Sequence, residues 1–309
     1  MNLKINPIKL VPLPIAGVIL SFFGLALFFK DYSIEFSYLW ICIGVILIFL
    51  LLLKFIFFNS EFRKDLKNPI ILGTFGTFPM ALMILSVFIA DFNYIIAFCL
   101  WLIAFLGHCL LITYFTTKAI RDFNLKQVFT NYFVVYIGVG MGAITGSNFH
   151  LTFLVNGIFI FAFFAMIPSI ILVSYKYINS TDIDESLKPL VCIYAAPFSL
   201  LLCAYFKTTF INEGFIVILF TLSVIFYVFA LIKAIQYVRL SFFPTFSSFT
   251  FPFIISATAT KQIMNFFKVD LGIFLAIQLI IAIIFILFVL IRYIQFIFYQ
   301  PTIKVLVKE

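Results

Sequence analysis

The chain has 309 residues, of which 65 % are hydrophobic and 10 % charged, with a mean hydropathy of +1.23 and a formal net charge of +8. So few charges cannot clothe a water-facing surface, which excludes a soluble globular protein and leaves an all-α polytopic membrane protein in contact with a lipid bilayer. The basic excess is explained by topology and lipid contact, so no nucleic-acid partner is inferred.

Apolar stretches run over 12–29, 36–58, 70–90, 94–117, 130–149, 151–175, 189–206, 211–237, 242–261 and 271–299. Each is close to or above the roughly 20 residues that a spanning helix needs, which predicts ten transmembrane helices. The first begins with Pro-Leu-Pro and shows no small-residue cleavage pattern, so it is read as a retained helix. Short connections predict a single transmembrane domain over 1–309. With the N-terminus inside, Lys30, Lys207, Lys261 and Lys268 are the only outer cations, and the other 16 of the 20 lysines and arginines fall on the inner side. That asymmetry predicts cytoplasmic N- and C-termini. The five cysteines lie in apolar stretches without CxxC spacing and read as small core residues rather than a disulfide framework or metal site.

Helix breakers gather in alternate stretches. The first carries Pro12, Pro14, Gly17 and Gly24; the third Pro69, Gly73, Gly76 and Pro79; the fifth Gly138, Gly140, Gly142 and Gly146. The seventh has Pro189 and Pro197, and the ninth Pro244 and Pro252. Straight Phe/Leu/Ile-rich helices suit lipid, whereas broken ones need burial in protein or a water-filled cavity. The pattern predicts five helical hairpins, each with one kinked inner and one straight outer helix, the five inner helices surrounding a central pore. The glycines of the fifth stretch either leave a pore open or let a neighbouring helix approach.

Phe242–Lys261 joins two prolines to a run of hydroxyl residues. At 100° per residue, Phe242, Phe246, Phe249 and Phe253 share one face, and Pro244, Ser247, Ser248, Phe251, Ile255 and Thr258 the other. The second face suits a narrow pore plugged by one phenylalanine; ordinary helix packing, with Ser and Thr bonded to their own backbone, is the alternative.

No Asp, Glu, Lys or Arg lies at the centre of a stretch, which favours passive conduction over ion-coupled pumping. His108, deep in an outer-type helix, reads as a packed polar group bonded to a neighbour. There is no Walker motif, HExxH or Ser/His/Asp cluster, so neither an enzyme, a cofactor nor a metal site is expected.

PLPIAGVILSFFGLAL at 12–27, Pro69 with Pro79, LKPLVCIYAAPFSLLLCAY at 187–205 and SFTFPFIISATA at 248–259 occur in an order that resembles the bacterial tellurite-resistance TehA proteins and the plant guard-cell slow anion channels, the tellurite-resistance/dicarboxylate transporter family. The resemblance implies a homotrimer in a bacterial inner membrane, each protomer with its own pore closed by a phenylalanine. Alignment on the Phe-Pro step places that gate at Phe251, and the expected pore-lining set is Ser21, Gly76, Gly140, Pro197, Ser247, Ser248, Pro252, Ile255 and Thr258. Between PLP and GLA the chain is one residue longer than the TehA-like pattern, so the small pore residue of the first helix is Gly17, Leu20 or Ser21. The fifth helix has glycines where the family often has a proline. The implied function is a gated anion channel for small inorganic anions. The alternative is a secondary exporter of dicarboxylate, sulfite or tellurite-related species.

Overall fold

Proline and glycine decide where the helices stop. The computed structural model describes residues 6–180 and 182–298, and the described residues contain helices and connections but no strand. In chain order the α-helices are α1 (Pro7–Leu10), α2 (Ile15–Phe29), α3 (Ile34–Phe57), α4 (Asn59–Leu66), α5 (Pro69–Phe75), α6 (Thr77–Ile89) and α7 (Tyr94–Arg121). They continue as α8 (Asn131–Tyr136), α9 (Gly140–Gly146), α10 (Thr152–Asn179), α11 (Ala196–Tyr205), α12 (Glu213–Tyr237), α13 (Phe251–Phe267) and α14 (Gly272–Phe298). Short 3₁₀ segments at Lys188–Ala195 and Pro244–Phe249 lead into α11 and α13.

Eight helical stretches are long and apolar enough to cross a membrane: α3, α5 with α6, α7, α8 with α9, α10, the 3₁₀ lead with α11, α12 and α14. The other two expected spans are shorter as helices. α2 has 15 residues after the Pro12–Pro14 turn, and the ninth stretch is divided at Thr250, whose φ of −107° and ψ of −84° interrupt the helix. Lys4, Lys304 and Lys308, used above to place the termini, lie outside the described residues.

The breaks share a cause. Pro79, Pro197 and Pro252 each sit in the first turn of a helix, α6, α11 and α13. A proline has no N–H and crowds the carbonyl four residues earlier, so the preceding helix ends and a new one starts where that N–H is not needed. The α8–α9 stretch reaches the same result with glycine. A Cβ on Gly138 would lie 2.1 Å from the Val134 carbonyl oxygen and 2.7 Å from Met80 Sδ, so only glycine fits that turn.

Packing sorts the helices into two groups. α2 packs on α6, α6 on α9, α9 on α11, α11 on α13, and α13 back on α2. Against these lie α3 on α2, α7 on α6, α10 on α9, α12 on α11 and its 3₁₀ lead, and α14 on α13. The broken stretches α5–α6, α8–α9 and the one ending in α11 are 61–89 % buried, whereas α3, α7, α10, α12 and α14 are 22–39 % buried. Cys42 and Cys99 sit on the exposed faces of α3 and α7, unlike the buried Cys192 and Cys203, so the expectation that all five are core residues is corrected. A thiol on an apolar helix is compatible with lipid as well as with a core.

Backbone groups freed at bilayer depth require new partners. His108 Nε2, on α7, lies 2.9 Å from the carbonyl oxygen of Val135, beside the α8–α9 break; because a carbonyl only accepts, Nε2 carries the proton. Asn131 Nδ2 donates to the Pro69 carbonyl (3.1 Å). The Ser256 hydroxyl is shared between the carbonyls of Pro252 (2.9 Å) and Ala195 (3.1 Å), and that of Thr250 between those of Ser247 (2.7 Å) and Gly17 (3.2 Å). The Tyr293 hydroxyl of α14 donates to the Pro244 carbonyl. At one end, buried Lys54 joins Asp65 (2.6 Å) and the Val11 carbonyl (2.7 Å), tying α3, α4 and the lead into α2. Replacing His108 by leucine removes the donor and strands the Val135 carbonyl. His108→Leu is expected to destabilise the protein by about 1–2 kcal/mol, read as a lowered midpoint in SDS titration from mixed micelles; an unchanged midpoint would remove His108 from this role.

Candidate functional site

The interrupted segments meet around a narrow cavity of about 40 Å³. Gly17 of α2, Thr74 and Thr77 beside the α5–α6 break, Gly138 from the α8–α9 turn, Ala196 and Pro197 opening α11, and Ser247, Ser248, Phe251 and Pro252 all line it. The hydroxyls of Thr74 and Thr77 already donate to the carbonyls of Ile70 and Thr74, at 2.8 Å each. Ser248 Oγ is buried without a hydrogen-bond partner, which leaves its proton available to an occupant of the cavity.

α6, α11 and α13 begin at this level, and their first residues, Thr77, Ala196 with Pro197, and Phe251 with Pro252, line the cavity. No ionised side chain lines it.

On the other side of Phe251 lies a wider cavity of about 530 Å³, lined by Gly24, Thr145, Asn148, Ile255, Thr258 and Gln262 together with Lys30, Asp31, Lys207 and Lys261. Lys30 pairs with Asp91 at 2.8 Å. Lys261 pairs with Asp31 at 2.8 Å, donates to the Phe28 carbonyl and lies over the Tyr32 ring. Lys207 is exposed and makes no ion pair among the described residues. Three lysines against Asp31 and Asp91 leave one uncompensated positive charge at this mouth.

Phe251 alone lines both cavities. Its ring lies over Gly24, where a Cβ would stand 3.6 Å from Cδ2 and Cε2, and the residue is buried, with 5 % exposure. The opposite face of the same stretch is fixed to α14: Phe246 packs on Phe288, Phe249 and Phe253 on Phe285, and Phe242 on Tyr293.

The expected lining residues separate into two sets. Pro197, Ser247, Ser248 and Pro252 lie on the narrow cavity, and Ile255 and Thr258 on the wide one. Ser21, Gly76 and Gly140 line neither cavity. Ser21 is fully buried and donates its proton to the Val18 carbonyl at 2.6 Å; Gly17 is the small residue of that helix at the cavity. A Cβ on Gly76 would meet Leu111 Cδ2 at 2.9 Å, and one on Gly140 would meet Leu200 Cδ2 at 2.9 Å, so both glycines serve helix contact. Residues that sequence reasoning missed include Thr74, Thr77 and Gly138 on the narrow cavity and Lys207 on the wide one. Thr77 and Gly138 flank the breaks that the prolines and glycines announce, and Lys207 is one of the four cations that the charge asymmetry assigns to the outer side.

Comparison with curated proteins finds no match. The model of the voltage-dependent anion channel family matches residues 11–294, which takes in every segment lining either cavity. With both cavities inside that match, the chain belongs to the voltage-dependent anion channel family.

Proposed function

We propose that the chain is a gated channel that passes small inorganic anions down their gradient, with Phe251 as the gate. The supporting observation is that Phe251 is the one side chain common to two otherwise separate cavities on the axis of the helix ring. In this reading α2 and the α13 stretch also cross the bilayer, giving ten crossings arranged as five hairpins. The cycle of contacts from α2 through α6, α9, α11 and α13 forms the inner wall, and the less buried helices face lipid. The clustering of Lys30, Lys207 and Lys261 at one cavity supports placing that mouth outside and both termini in the cytoplasm. Assembly as a homotrimer in a bacterial inner membrane belongs to the same reading and rests on the resemblance alone.

An anion is drawn into the wide mouth by Lys207 and meets the Phe251 ring. When the ring swings aside, the ion enters a compartment whose attractive groups are the Ser248 hydroxyl and the starts of α6, α11 and α13. Without a fixed charge, binding there is weak and release is fast, as conduction requires.

Two measurements test this reading. Phe251→Ala is expected to raise anion current in bilayers roughly tenfold or more, the factor that follows from an open state populated as a minor conformer; an unchanged current with normal membrane insertion rules the gate out. Flux that saturates and collapses with the proton gradient would instead identify an exporter. Lys207→Gln is expected to lower anion conductance at about 10 mM salt and to match the parent at about 1 M, where the screening length falls to about 3 Å. A deficit that persists at high salt would assign Lys207 a role other than attraction.

A further inference from the structure

A groove of about 670 Å³ runs along the outer surface between α4–α6 and α7, away from both axial cavities. Its length is apolar, from Leu72 past Phe75, Phe78 and Leu82 to Ile103. Gly107 keeps it open, since a Cβ there would meet nothing within 4 Å. Phe75 and Phe78 stack across the α5–α6 break, 5.3 Å apart and 11° from parallel, and form one wall.

The mouth of the groove is different. Arg63 and Lys67, one helical turn apart, line it, and neither makes an ion pair among the described residues. The neighbouring carboxylates are engaged elsewhere, Asp65 by Lys54 and Glu61 by Lys9. Lys118 of α7 donates to the Lys67 carbonyl at 2.7 Å and adds a third cation beside the mouth.

We infer that this groove binds one anionic phospholipid, the phosphate held by Arg63 and Lys67 and an acyl chain lying along Phe75, Phe78 and Gly107. The pairing of a cationic rim at a helix end with an apolar trough reaching toward mid-membrane matches a lipid's own division into charged head and hydrocarbon tail. A second copy related by a two-fold axis fits poorly, because it would bring another basic rim against the first. The site touches the conduction path at one remove: Thr74 and Thr77, which line the narrow cavity, are the immediate neighbours of Phe75 and Phe78.

The test is native mass spectrometry of the purified full chain taken from mixed phosphatidylcholine and phosphatidylglycerol vesicles. The parent is expected to retain one phosphatidylglycerol per chain in preference to phosphatidylcholine. Arg63→Gln with Lys67→Gln should weaken retention roughly fivefold for each charge removed, the usual effect of one basic side chain beside an anionic lipid. Gly107→Leu should displace the lipid with both cations intact. It fills open space, so its thermal unfolding should match the parent, and it guards against misfolding as the explanation of the charge variants. Equal retention by the variants and the parent, equal retention of phosphatidylcholine, or displacement of the lipid by inorganic phosphate would each overturn the assignment. None of these readouts involves current, so their failure is distinct from a failure of the channel reading.

Discussion

A backbone broken at bilayer depth leaves carbonyls that lipid cannot satisfy, at a cost of about 1–3 kcal/mol for each one stranded. The arrangement of this molecule follows from meeting that constraint at several breaks. The ring of broken segments is closed by mutual packing, and donors such as His108, Asn131, Ser256 and Tyr293 reach exposed carbonyls from adjacent elements. The lipid-facing helices therefore do more than shield. His108 on α7 and Tyr293 on α14 reach inward to stabilise turns that the inner segments could not hold alone.

The same breaks bear on the proposed conduction. In the channel reading, helix starts beside the narrow cavity and the Ser248 hydroxyl serve an anion in place of a lysine or arginine. Fixed charges are kept to the wide mouth, where Lys30 and Lys261 are neutralised by aspartates and Lys207 is left over. That reading divides long-range attraction and local binding between groups at different depths.

Much of this was legible in the amino-acid order, and the misses have physical reasons. Proline announces its own break, so the interrupted segments could be told from the straight ones. Ser247, Ser248, Phe251, Ile255 and Thr258 could be placed on one face, although the helix is interrupted at Thr250, because the two halves turn their polar sides to the same axis. Glycine is ambiguous in a way proline is not. Whether Gly76 or Gly140 borders a cavity or receives a neighbour depends on Leu111 and Leu200, which are remote in sequence. The choice of Gly17 over Ser21 depended on where α2 sits after the Pro12–Pro14 turn, and a single residue of phase moves a side chain by 100°. The groove beside α7 left no sequence signature, since its rim and trough come from four separate helical elements and a linker only when they pack.

The inequality of the two cavities has a consequence for the ion itself. About 530 Å³ lies on one side of Phe251 and about 40 Å³ on the other. In the channel reading proposed above, an anion arriving from the wide side sheds most of its water where the aromatic ring moves aside. That reading sets discrimination among anions by hydration energy at a single, off-centre point of the path.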